Sequence, residues 1–60
     1  MTELVVLNYA TGEVDLYSFD MNLDSEEIND FLFNQKNYRE SEISWMFDEQ
    51  LFINNYGNNY

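Results

Sequence analysis

Two short apolar runs open the chain. "LVVLNY" at Leu4 to Tyr9 is built from strand formers, and "EVDLYSF" at Glu13 to Phe19 repeats that character after a brief gap. In the second run Val14, Leu16 and Ser18 alternate with Glu13, Asp15, Tyr17 and Phe19. The period of two sets these groups on opposite faces of a strand. The acidic end of the second group is expected to meet water, with Tyr17 and Phe19 covered by the chain that follows. The first run is apolar on both sides, at Leu4 and Val6 and at Val5 and Leu7, which suits a central strand better than an edge. Gly12, in the intervening "ATG", can take the left-handed conformation that closes a short hairpin, so antiparallel pairing is expected. Tyr9 and Tyr17 are expected to form a cross-strand pair.

From Leu23 the period changes. Asp24 stands as N-cap, Glu27 completes a capping box, and Leu23 and Ile28 occupy the two positions of a hydrophobic staple. Acidic residues crowd the first turn, where backbone N–H groups lack partners and the helix dipole is positive. Ile28, Phe31, Leu32 and Gln35 recur at helical spacing, which predicts a helix of about Asp24 to Lys36 with Lys36 at its cation-favouring end.

The segment "SEISWMFDEQLF" fits two periods. As a strand, Ile43, Trp45 and Phe47 share one face; as a helix capped by Ser41, Ile43, Met46, Phe47 and Leu51 form a stripe. The β-branched and aromatic character of the run favours a strand, and a third strand lets a hairpin and one helix enclose a two-layer core. A short fourth strand at Leu51 to Asn54 is expected after a turn at Asp48 to Gln50. The reading is therefore one α+β domain over residues 1–54, a β-hairpin followed by a helix and a third strand, and a polar flexible tail over 55–60, "NYGNNY".

The order of "NYATGEVDLYSF", a capped acidic helix and "SEISWMF" resembles small uncharacterised bacterial proteins of Bacteroides-like genomes and mobile elements. The resemblance runs from about Leu4 to Phe47, with "GEV" and "WM" as its most recognisable pieces. It implies a hairpin-plus-helix domain and carries no activity.

Composition narrows the function. The chain has 60 residues, no cysteine and no histidine. Disulfides, thiolate metal sites, cysteine nucleophiles and imidazole chemistry are thereby excluded, and stability is expected to be marginal without a partner or second copy. Twelve Asp and Glu face only Lys36 and Arg39, a formal charge of −10. Direct binding to nucleic acid or to an anionic membrane is excluded for want of cations, whereas a basic protein partner is favoured. The opening "MTELVVLNYATGEV" has neither a basic leader nor a long apolar run, so a cytoplasmic location is expected.

Three patterns invite chemistry. Asp20, Asn22 and Asp24 follow the opening rhythm of a calcium loop, but Ser25 stands where glycine is needed and Phe31 where the bidentate carboxylate belongs. No metal or other cofactor is therefore expected. The carboxylate pairs, Glu13 with Asp15 and Glu26 with Asp30, read as solvent-facing, with nothing to raise a pKa or orient a proton transfer. A non-catalytic protein follows. Five Phe, five Tyr and one Trp exceed what so small a core can hide, which marks Phe33, off the main helical stripe, and Trp45 as candidate anchors beside the acidic residues. The expected function is a small acidic protein-interaction module whose site includes Glu13, Asp15, Glu26, Asp30, Phe33 and Trp45 and whose target is a basic protein. The alternatives are a structural or homodimeric domain and a nucleic-acid-mimicking inhibitor of a DNA-binding protein.

Overall fold

The computed structural model describes residues 1–57. Strand β1 (Thr2–Asn8) and strand β2 (Glu13–Phe19) form the expected hairpin. Helix α1 (Ser25–Asp30) continues without a break into a π-helical turn, Phe31–Gln35. A 3₁₀ turn at Glu40–Glu42 then leads into strand β3 (Ile43–Asp48). The sheet is antiparallel with order β2-β1-β3, so the doubly apolar first strand is indeed central.

The hairpin closes over Tyr9 to Gly12. Gly12 has φ 72° and its N–H donates to the Asn8 carbonyl at 2.9 Å, while the Asn8 side chain accepts from the amides of Ala10 and Thr11. Pairing aligns Leu4 with Tyr17 and Phe47, and Val6 with Asp15 and Trp45. These residues form the face that the helix covers.

The helix begins as its sequence requires. Asp24 accepts from the Glu27 amide at 2.9 Å, and the Glu27 carboxylate accepts from the Asp24 amide at 3.1 Å. Two otherwise orphan N–H groups are satisfied by one reciprocal pair. Ile28 and Leu32 are fully buried against Leu4, Val6 and Ile43, with Leu23 beside them.

Three expectations are corrected. The α-helical ladder ends at Asp30 rather than running to Lys36, and the Lys36 amide donates to the Phe31 carbonyl, five residues back. The wider π turn suits packing: Phe31 leans to β2, edge-on to Tyr17 and Phe19, while Phe33 leans to β3, edge-on to Trp45. Leu51 to Asn54 forms no fourth strand; the Leu51 amide instead donates to the Glu3 carboxylate at 2.7 Å. One unpaired segment thereby meets a side-chain acceptor instead of a sheet edge. Tyr9 and Tyr17 are not a pair, because Tyr9 lies in the turn and bonds Ser44, whereas Tyr17 reaches Tyr38. The expected tail at 55–60 is described only to Gly57, where it lacks regular structure; residues 58–60 lie outside the described residues.

Candidate protein-interaction site

A concavity lies between the end of β2 and the helix. Phe19, Met21, Leu23 and Phe31 supply its apolar walls, and Glu26, Glu27, Asp30 and Gln35 supply its polar ones, around a volume of about 560 Å³. Phe31 is fixed there by edge contacts to Tyr17 and Phe19, each with ring centroids 5.0 Å apart. Such contacts align the positive edge of one ring with the negative face of another.

The carboxylates differ in their freedom. Glu27 is committed to the capping box. Asp30 accepts from Asn34 Nδ2 at 2.8 Å and Gln35 Nε2 at 3.2 Å, and these two donors hold its carboxyl below the ordinary value. It therefore stays charged while being held in one orientation. Glu26 is exposed on the first turn. The site thus offers one fixed and one adaptable negative group beside a firm aromatic wall.

Lys36, outside the groove lining, stands against two of the neighbouring rings. Its Nζ stands 5.7 Å from the Tyr17 ring centroid and 5.8 Å from that of Phe31. Ring quadrupoles draw a cation to such positions, and the strongly acidic surroundings add to the attraction.

The sequence-expected residues do not form one continuous site. Glu26 and Asp30 share the groove. Glu13 and Asp15 lie farther along β2, on the helix-covered face, and Asp15 is half-buried, accepting from the Tyr38 hydroxyl at 2.7 Å. Phe33 and Trp45 lie on the β3 side, packed edge-on at 5.4 Å and only half-exposed. Among the described residues, the aromatic side chains most open to solvent are instead Tyr9, Phe52 and Tyr56.

Three structural residues escaped the sequence reading. Thr2 is buried; its hydroxyl donates to the Met21 carbonyl and accepts from the Leu23 amide, both at 2.9 Å, which ties the groove wall to β1. Its position two residues before Leu4, in phase with the helix-covered face, was the available signal. Asn37 takes φ 59°, a conformation asparagine tolerates better than most residues, and directs the chain back so that the Tyr38 amide reaches the Leu32 carbonyl. Tyr38 then joins Tyr17 at 2.5 Å and Asp15 at 2.7 Å. Burial, followed by these two hydrogen bonds, pushes the Tyr38 phenol well above its ordinary value.

Asp20, Asn22 and Asp24 are parted by their own partners: Asn22 accepts from the terminal ammonium at 2.8 Å and Asp24 caps the helix. Among the described residues no three acidic side chains gather as a metal site, and no helix is long and apolar enough to cross a membrane. No family model, curated protein or solved structure matches the chain.

Proposed function

We propose that the protein is a non-catalytic interaction module whose helix-side groove takes the basic side chains of a protein partner. The observation that carries this reading is the joining of apolar and acidic walls in one concavity, with Phe19, Met21 and Phe31 beside Glu26 and Asp30. Lysine and arginine need both surfaces. Their methylene stems bury against apolar groups while their charged heads stay at polar ones.

Asp30 gives such a head a preoriented acceptor, since Asn34 and Gln35 already hold its carboxylate. Less ordering is then lost on binding. The formal charge of −10 favours encounter with a basic surface over long range, and the groove supplies the short-range register. Nucleic-acid mimicry draws less support, because Asp15 is bound internally to Tyr38 and does not continue a free row of charges from Glu13.

The test is an NMR titration of the isotopically labelled protein with a short peptide alternating arginine and leucine, against a glutamate-leucine peptide of equal length. The basic peptide is expected to shift the amides of Met21, Glu26, Asp30, Phe31 and Gln35 saturably. Shifts spread evenly over all acidic residues would contradict a built groove.

A further inference from the structure

The helix covers only one side of the sheet. On the other side Val5 and Leu7 of β1, Val14 and Leu16 of β2, and Met46 of β3 lie together, since Val5 is aligned with Leu16 and Met46 and Leu7 with Val14. Val5, at the centre, is only 8% exposed, but Leu7, Val14, Leu16 and Met46 around it are 42%, 65%, 53% and 59% exposed. Scattered apolar residues on a surface are ordinary, but a contiguous apolar sheet face is an unfilled half of a core.

We infer that this bare face is a self-association surface and that its occupant is a second copy of the chain, packed sheet to sheet. The distribution of charge selects that occupant. The strand carboxylates on this face are Glu3 and Asp48, aligned with one another at one end of the sheet, and Glu3 already accepts from the Leu51 amide. Glu13 and Asp15 lie on the opposite sheet face, and Asp24, Glu26, Glu27 and Asp30 belong to the helix that covers it. A basic partner drawn by the protein's charge finds no acceptor at the centre of the patch. A second copy offers a neutral apolar surface of the same shape.

The same distribution lessens the obstacle to pairing two chains of charge −10, leaving Glu3 and Asp48 as the carboxylates on the pairing face. Stacked sheets lie about 10 Å apart, and each helix adds roughly its own diameter of about 10 Å on the outside. The two helices and their carboxylates are then about 30 Å apart, more than three times the Debye length of about 8 Å at physiological salt. The strongest repulsion is screened, while the apolar faces meet directly.

Area sets the strength. Seven residues at about 3.3 Å and three strands at about 4.8 Å make a face of roughly 300 Å² per copy. The Leu51 amide is anchored to Glu3, and Phe52 and Ile53 that follow it are exposed. Two such faces make roughly 600 Å² in total, below the size of a standard specific interface, so the dimer is weak and transient and dissociates on dilution. The surface is separate from the groove, and either assignment can fail without the other.

Sedimentation equilibrium of the full chain at low and at physiological salt, from micromolar to millimolar protein, reads the association directly. The expected result is a monomer–dimer equilibrium that strengthens with salt. Leu16→Lys lowers the net negative charge yet is expected to weaken dimerisation by at least about tenfold, because it buries an unpaired ammonium. Mixed labelled and unlabelled wild-type protein is expected to give intermolecular NOEs among the methyl groups of Leu7, Val14, Leu16 and Met46, a readout independent of whether the variant folds. A monomer at every concentration and salt would overturn the inference. So would a dimer whose contacts lie elsewhere, or a folded Leu16→Lys variant that associates like the wild type.

Discussion

The hydroxyl of Tyr38 donates to the Asp15 carboxylate across 2.7 Å, joining the chain after the helix to the edge strand 23 residues earlier. Tyr17 completes the cluster at 2.5 Å from Tyr38. One of the acidic residues most suggestive of a binding surface is thereby part of the internal support of the fold.

Tyr38→Phe keeps the ring and removes the donor. It is expected to cost about 1 kcal/mol, read as a lower urea midpoint with an unchanged slope. The phenol also predicts a pH dependence. Its folded pKa is raised, chiefly by burial and then by Tyr17 and Asp15, so the neutral form is favoured in the folded state. The associated stability is fully present below the unfolded value of about 10 and is lost as pH rises toward the folded value. Melts between pH 8 and 11.5 should show a decline above pH 10 that is smaller in Tyr38→Phe.

The helix start gives a second expectation. Asp24→Ala removes the acceptor for the Glu27 amide and breaks the reciprocal box, at a cost of about 1 kcal/mol. Calcium is expected to leave that loss unchanged in thermal melts of wild type and variant, because Asp24 acts as a cap.

In the core, Leu32 is fully buried among Leu4, Val6, Ile28 and Ile43. Leu32→Ala is expected to cost roughly 2 to 4 kcal/mol, a large part of the stability of so small a domain. Far-UV circular dichroism at room temperature should show a substantially unfolded population, while Leu16→Ala on the open face should remain folded.

What was legible in the sequence was what one period or one motif encodes. The alternation in β2 set Tyr17 and Phe19 toward the helix, the doubly apolar β1 implied its central place, and Asp24 with Glu27 marked the helix start. The favoured strand at Ile43–Asp48 also forms. The π turn was hidden because a 3.6-residue period explains Ile28 and Leu32 but leaves Phe33 off the stripe; its inward lean needs both the five-residue hydrogen bond and Trp45. The fourth strand failed because strand-forming residues at Leu51 to Asn54 do not specify a pairing partner, and Glu3 supplied a different acceptor. The groove was half legible: Glu26 and Asp30 were singled out, but Phe19 and Met21 reach them only through the three-dimensional return of the helix over β2. The bare face was written in Val14 and Leu16, though alternation alone does not say whether a face is covered.

The most direct measurement of the central claim is the affinity of the arginine-leucine peptide, by fluorescence anisotropy at physiological salt, for wild type, for Glu26→Lys with Asp30→Lys, and for Glu13→Lys with Glu3→Lys. Both double variants change the net charge equally, but only the first alters the groove. Loss of two close charge partners is expected to weaken binding by at least about tenfold in the groove variant, with a change of no more than about threefold in the other. Equal losses in the two folded variants would contradict the account, since attraction would then follow overall charge rather than the site formed by Phe19, Phe31, Glu26 and Asp30.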